Sequence, residues 1–591
     1  MTAAQAVELV RPGDRVWVGS ACGTPRALLA ALNDLPVPLP GVRLVHFLAN
    51  GVTVDGVARY PQEVLFVGSE LRGLTQSGQV DYVPVSLSEV PSLVARGQHR
   101  VDVALVQVAP PDEEGMCSLG VSVDITLSAA LHARTVIAEV NPAMPRTGPR
   151  TNIPVERIDA FVEVDGPVAE YHHEPVGPAA EAIALYVARL VPDGATLQIG
   201  LGRVPNEMLR HLSGRRDLRV HSDVVTDGLV DLLDSGAVRP GSGTVVASMA
   251  VGTKRLFDRL HGAQVDFRPL ERLANPVKLT KLERLVSVTQ AFAVDLTGQV
   301  CADTEAGQLY GGVASQNLMH WAAAHSPGGR AVVCLSTTFP DGTSRIRPSL
   351  AADEAVTIPR SDVHYVVTEY GTAYLFGRSL RERAVALIEL AHPSMREELL
   401  AAAVERGLVP PGQQLRSRGA YPREEERTVT LRDGRAVLVR PARTGDAGIL
   451  QDLFYRMPPE DVFTRFFRHL TSLPLKTAEH MTSVSFDNEV TLLAVEGDWG
   501  SERVIGTVSY YRDPTSGRAD VAFMVDPEWK GVGLGTALRD VIVDVARRRG
   551  VVALTADVLV ENTAMLRLFR TSGLDVEAHT SRGVSEIVLT L

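Results

Sequence analysis

The stretch Lys530-Gly531-Val532-Gly533-Leu534-Gly535-Thr536 lies between an apolar run, Val521 to Val525, and a helical pattern with apolar residues at Leu538, Val541, Ile542 and Val545. Successive small residues at such a junction let backbone N–H groups converge where the helix dipole also favours an anion, and a pyrophosphate suits that chemistry. A tight turn that needs glycine for backbone reasons alone accounts for the same residues. The spacing excludes two rival phosphate motifs, because it has neither GxGxxG nor GK[ST]. Further on, Asn562 stands at the start of another helical pattern, which ends in Gly573-Leu574. A second glycine pair, Gly200 and Gly202 in IGLGRVP, also follows an apolar run and precedes a helical one. A third stretch, SVTQAFAVDLTGQVCAD at 287–303, reads as one buried strand followed by a glycine turn. Val288, Gln290, Phe292 and Val294 fall on one face of that strand, and Thr289, Ala291, Ala293 and Asp295 on the other.

The elements that must hold these residues follow an α/β rhythm. Apolar runs such as RVWVG, VRLVHFL, VDVALVQVA and TVIAEV alternate with helical patterns, as in a mostly parallel sheet. A Pro- and His-bearing stretch at 165–182 leads to a second series of runs, from ATLQIGLG to VHYVVTEYG, so two tandem α/β domains are expected at 1–182 and 183–409. Within the connecting stretch, His172-His173-Glu174 points in different directions and has no further ligands at a suitable spacing, so no metal is expected. Residues 410–427, PPGQQLRSRGAYPREEER, combine Pro, Gly, Gln and a charge run without apolar periodicity, and read as a linker. Beyond it, a hairpin with Asp433-Gly434 at its turn opens a third domain at 428–591.

A length of 591 residues agrees with about three or four domains. The formal charge of −11 argues against general binding to a nucleic-acid backbone, which needs a basic face. The four cysteines are far apart and form no CxxC pair, so neither a disulfide framework nor a zinc site is indicated. The first residues lack the pattern of a signal peptide and no run reaches 18 apolar residues, which leads to the expectation of a cytoplasmic protein with no membrane partner.

Together, the 519–550 and 551–574 stretches resemble the GNAT acyltransferase family, whose signature is a [QR]xxGx[GA] turn after a strand and an Asn before a helix ending in Gly-Phe. Here Lys530 replaces the usual Gln or Arg, and Leu574 the usual Phe. The domain is most similar to the bacterial protein-lysine acetyltransferase branch. The resemblance implies direct transfer from acetyl-CoA, or another acyl-CoA, to an amine. It implies that residues Lys530 to Thr536 hold the cofactor diphosphate, that a backbone N–H near Met524 and Val525 meets the thioester oxygen, and that Asn562 belongs to the same cofactor site. Asp520 occupies the place of the expected base, although a solvated strand-end charge would look the same, and Phe569 stands where many relatives carry a Tyr acid.

The first 400 residues resemble the acetyl-CoA hydrolase and CoA-transferase family in VDVALVQVAPPDEEGMCSLGVSVD, VIAEVNPAMPRTG, GATLQIGLGRVP, VDLTGQVCADT and other stretches, in the family's order. Members use a Glu immediately before Val-Asp-Leu as nucleophile, and here that residue is Ala293. The family's GxGGQxDF loop is also altered, reading Gly312 to Met319 with two glycines and the Asp lost. The expected architecture is therefore α/β throughout: two CoA-transferase-like domains followed by a GNAT domain. The leading expectation is an acyltransferase whose N-terminal module has lost its chemistry and either senses acyl-CoA, with its diphosphate at Gly200 and Gly202, or serves as a scaffold. The competing one is a CoA-transferase whose carboxylate has moved to Asp295. A protein substrate is implied, an acyl-CoA synthetase among the candidates, as is homo-oligomerisation through the N-terminal module.

Overall fold

The computed structural model describes every residue except 49–58, 174, 201, 261–264, 306, 414, 416–421, 444–445, 483–487 and 498–501. Glu174 of the His-His-Glu cluster, Leu201 of IGLGRVP and the middle of the 410–427 stretch therefore lie outside the described residues. The chain divides into two compact units, Met1–Arg383 and Ala384–Leu591.

The first unit contains two large sheets. One has seven strands in the order Val80–Tyr82, Gln62–Val64, Arg43–His46, Arg15–Val18, Val103–Val108, Thr135–Val140 and Ala160–Glu163, all parallel. Its central Val103–Val108 strand is buried at every position, which is why its sequence is apolar almost without alternation. The other has eight strands, with Thr196–Ile199 and Leu285–Gln290 side by side at its centre and only the final Gly371–Tyr374 strand antiparallel.

The 287–303 stretch is not one strand. Leu285–Gln290 belongs to the eight-stranded sheet, whereas Ala293–Asp295 joins a small separate sheet between Val300–Cys301 and Ile346–Arg347. The alternation expected across residues 288–295 breaks at Ala291 and Phe292: the Ala291 amide makes the last bond to the eight-stranded sheet, on the Cys334 carbonyl, and the Phe292 amide turns to the Cys301 carbonyl of the small one. Apolar periodicity cannot reveal such a change of partner, since both strands are buried. The glycine turn is present, with Gly298 at φ +92°.

The second unit carries an eight-stranded sheet that begins with the expected hairpin, Arg427–Thr430 paired with Ala436–Pro441 around Gly434 at φ +84°. All its pairings are antiparallel except that of Arg518–Val525 with Ala553–Leu559. The helix Leu534–Arg548 buries Leu538, Val541, Ile542 and Val545 against this sheet, and each such side chain contributes roughly 1.5–3 kcal/mol of apolar transfer. Its C-terminal end is tied down by Glu425, a 2% exposed residue whose carboxylate pairs with Arg548 and, at 3.1 Å, with Arg549.

Candidate functional sites

The Arg518–Val525 strand pairs along its whole length with Arg503–Arg512. With Ala553–Leu559, however, its register ends at Asp520 opposite Thr555. The two strands therefore part after Asp520. The Asp526 amide bonds Ile505 on the paired side, so by strand alternation the Val525 and Phe523 amides face the side where the neighbour has left. A slot with free backbone donors thus runs from Asp520 to Val525, as the resemblance implied for the thioester oxygen.

At the top of the slot, Asp526 fixes the turn. It is 1% exposed, accepts from the Glu528 amide, and pairs with Arg456 at 2.8 Å and Arg503 at 2.9 Å. Burial alone would raise its carboxyl, but these hydrogen bonds and charges hold it below the usual range. The chain then passes through Gly531 at φ +80° and Gly533 at φ +98° into the Leu534–Arg548 helix. The first amide with an intrahelical acceptor is that of Ala537, bonding Gly533 at 3.0 Å, which leaves the amides of Leu534, Gly535 and Thr536 pointing out of the helix end. Gly506 lets this helix approach closely, because a Cβ there would lie 3.1 Å from Leu538 and 3.2 Å from Leu534.

Of the three turn glycines, Gly531 and Gly533 are accounted for by their left-handed backbone. Gly535 is not left-handed, and a Cβ on it would meet nothing nearer than the Leu568 methyls at 3.9 Å. No described protein atom requires glycine there, since a Cβ would make only an ordinary van der Waals contact. The structure adds Arg432, which sequence reasoning missed: its amide bonds the Val532 carbonyl at 3.1 Å and its side chain lies against Gly533. Lys530, by contrast, is drawn away to Asp461. Asn562 uses its side-chain oxygen to cap the Thr563–Arg570 helix, accepting from Met565 at 3.1 Å.

At the other end of the slot, the Asp520 carboxylate reaches solvent and accepts no hydrogen bond among the described residues. Loss of hydration among its neighbours, reinforced by Asp557 across the opening and opposed by Arg465, raises its carboxyl above the ordinary carboxylate range. Tyr511 lies directly across the ladder from Asp520, and its phenol is also raised, chiefly by desolvation and despite Arg465. Arg465 comes from the Pro459–Phe466 helix, which packs on this strand. None of these three neighbours was legible in the sequence; the aromatic- and arginine-rich FTRFFRH segment was the available signal. Phe569 is 1% exposed and packs edge-on against Phe523 at 6.0 Å, a core contact with no proton to give.

In the first unit, Ala293 is fully buried and pairs with Cys301. The adjacent Phe292 packs on Tyr310 at 4.6 Å, and its carbonyl accepts from Arg345, which also pairs with Glu305 at 2.7 Å. Asp295 is engaged within its own turn. Its carboxylate, 1% exposed, accepts from the Thr297 amide and hydroxyl and from the Gln299 amide and side chain, all at 2.6–3.0 Å. The altered loop lies down on the first sheet's side of the unit: Val67 bonds the Gly311 carbonyl, Leu87 the Ala314 carbonyl, and Tyr82 accepts from the Val313 amide. Gly200 and Gly202 flank the start of the Arg203–Arg210 helix in tight surroundings, closest to backbone at Gly200 and to a movable side-chain end at Gly202. A Cβ would lie 3.0 Å from the Val288 carbonyl at Gly200, and 2.8 Å from Gln290 Oε1 at Gly202.

Comparison with known proteins gives three family matches along the chain. Residues 1–169 match the acetyl-CoA hydrolase/transferase N-terminal domain, residues 252–403 the acetyl-CoA hydrolase/transferase C-terminal domain, and residues 453–574 the acetyltransferase (GNAT) family. The chain is 39% identical over 411 residues to a 4-hydroxybutyrate coenzyme A transferase of Clostridium kluyveri, covering 68% of this chain and 96% of that enzyme. It is 35% identical over 409 residues to a succinyl-CoA:cyclohexane-1-carboxylate CoA transferase of Geobacter metallireducens, covering 68% and 93%. The crystal structure of RipA from Yersinia pestis superposes with a TM-score of 0.65 at 32% identity, over 69% of this chain and 98% of RipA.

Proposed function

Because this chain belongs to the acetyl-CoA hydrolase/transferase family and carries a GNAT acetyltransferase domain behind that module, we propose that it acetylates a protein lysine. In this reading the transferase-like module regulates the reaction without chemistry of its own. The observation that carries it is the parting of two strands at Asp520, which puts an unbonded carboxylate at one end of a slot and an anion-ready helix end at the other.

The amides at 533–536 hold the cofactor diphosphate, with Gly535 leaving room for it. The Val525 amide meets the thioester oxygen, where negative charge grows as the amine attacks. Asp520 takes the proton that the attacking ammonium must lose, and its raised carboxyl makes it a better base than an ordinary aspartate. Water or another donor protonates the departing thiolate, since Phe569 cannot.

Two observations support a silent N-terminal module. A methyl group stands where the relatives' nucleophile is expected, and Asp295 spends its carboxylate on four hydrogen bonds within its own turn. A protein acceptor such as an acyl-CoA synthetase suits this reading. Its test is mass spectrometry of a cell lysate incubated with the full chain and isotopically labelled acetyl-CoA, alongside the Asp520→Asn variant. Labelled lysines that depend on Asp520 are the expected result. A wild-type protein that labels none, or that accumulates a borohydride-trappable enzyme–CoA thioester, overturns it.

A further inference from the structure

Residues 454–470, FYRMPPEDVFTRFFRHL, include the Pro459–Phe466 helix that brings Arg465 toward Asp520. Five of these residues are Phe or Tyr in a chain that is 5% aromatic, so the segment is enriched well beyond its surroundings. Only some of the rings serve the core. Phe454 is buried and meets Phe466 at 6.0 Å, which bolts this segment to the domain. Tyr455 and Phe467 remain 58% and 42% exposed.

Phe467 is the more telling of the two. It ends the helix in a left-handed conformation, φ +53°, with its amide on the Phe463 carbonyl. Glycine or asparagine is the ordinary residue at such a cap. The chain instead holds a bulky ring in a strained backbone and shows it to water, which neither local preference nor core packing explains. The charges beside it follow the same pattern. Arg456 pairs with Asp526 and Lys530 with Asp461, whereas Arg465 and Arg468 make no ion pair or hydrogen bond among the described residues, in a chain of net charge −11.

We infer that this aromatic and cationic face docks the acceptor protein, and that it selects a lysine set among carboxylates and an apolar side chain. The inference rests on the lysine-acetylation reading. Asp520 and Asp557 receive the lysine at this end of the slot, while carboxylates beside it on the acceptor meet Arg465 and Arg468 and steer the encounter. Exposed aromatics next to arginine are the residue types that anchor protein interfaces.

The test uses the full chain and three probes: a lysine peptide flanked by Asp, Glu and Leu, a peptide of equal length flanked by Arg and Ser, and N-acetyl-lysine methylamide. The acidic peptide is expected to exceed the basic one in kcat/KM by about tenfold or more, with the difference in KM and declining with salt. Phe467→Gly relieves the strained backbone, so it should keep or raise the melting temperature while raising KM for the acidic peptide about tenfold. Arg468→Glu should reverse the preference between the two peptides. Both variants should acetylate the small amine at the wild-type rate. Equal kcat/KM for the two peptides, an unchanged KM in both variants, or loss of self-association in Phe467→Gly by sedimentation would overturn the inference, the last by making a second copy of this chain the occupant. Wild-type turnover of the small amine separates a failure of docking from a failure of the chemistry, because of these variants Asp520→Asn alone should lower that turnover, by about 10²-fold.

Discussion

Two glycine turns in this protein open helices after strands, and they differ in how tightly the protein surrounds the glycine. At Gly202 a side chain would collide with Gln290 of the neighbouring strand and with Pro205, and at Gly200 with the Val288 carbonyl. At Gly535 a Cβ would have ordinary van der Waals room. Glycine in a helix costs up to about 1 kcal/mol relative to alanine, and at 535 nothing in the protein offsets it. The first turn is tightly packed and the second leaves room for a Cβ. The carboxylates divide in the same way: Asp295 accepts from four donors, whereas Asp520 has none among the described residues. A residue's type therefore says less about chemistry than whether its surroundings have already used it.

The strongest challenge to this contrast is Gly535→Glu. A carboxylate facing the diphosphate should weaken acetyl-CoA binding by roughly 10²-fold or more in calorimetry, while the melting temperature changes little because the site has room. Unaltered affinity would return this turn to the same class as Gly202. Asp520→Asn should leave acetyl-CoA affinity near wild type and lower single-turnover acetylation by about 10²-fold, the usual contribution of a general base. Full-speed transfer would remove Asp520 from the chemistry. Gly202→Ala should do the converse of Gly535→Glu, destabilising the first unit by about 1–3 kcal/mol in denaturant titration without touching acetyl-CoA binding by the GNAT domain.

The smallest effect concerns pH. Since the Asp520 carboxyl is raised, the acid limb of the acetylation profile should have its midpoint above the ordinary aspartate value of about 3.9 and should vanish in Asp520→Asn. A raised folded-state pKa favours the fold below the unfolded value and loses that contribution as pH rises through the folded one. Asp520→Asn should therefore raise the melting temperature slightly at pH 7, by about 1 °C for this exposed side chain, and not at pH 3.5. A melting temperature lowered at neutral pH would mean that the carboxylate is a structural partner after all.

Much of the C-terminal site was legible because its signals are local. The 530–536 turn, the Asp433-Gly434 hairpin and the Asn562 helix start each depend on residues adjacent in sequence, and each stands where periodicity and turn chemistry put it. The 287–303 stretch misled for the opposite reason. Both of its strands are fully buried, so no alternation marks the point at which the chain leaves one sheet for another. Arg465, Tyr511, Asp557 and Arg432 were invisible as site residues, because they reach it from separate elements.

The sequence by itself determined the α/β class, the transferase-like and GNAT modules and a methyl group in place of a carboxylate-bearing side chain at residue 293, because these follow from residue order and from which atoms a side chain has. Only the tertiary structure decided that Asp295 is engaged within its turn, that the glycines at 200 and 202 are tightly surrounded, and that Gly535 has room for a Cβ. Whether a group is free to act depends on its neighbours in space, and those are supplied by strand pairing and helix packing between residues far apart in the chain.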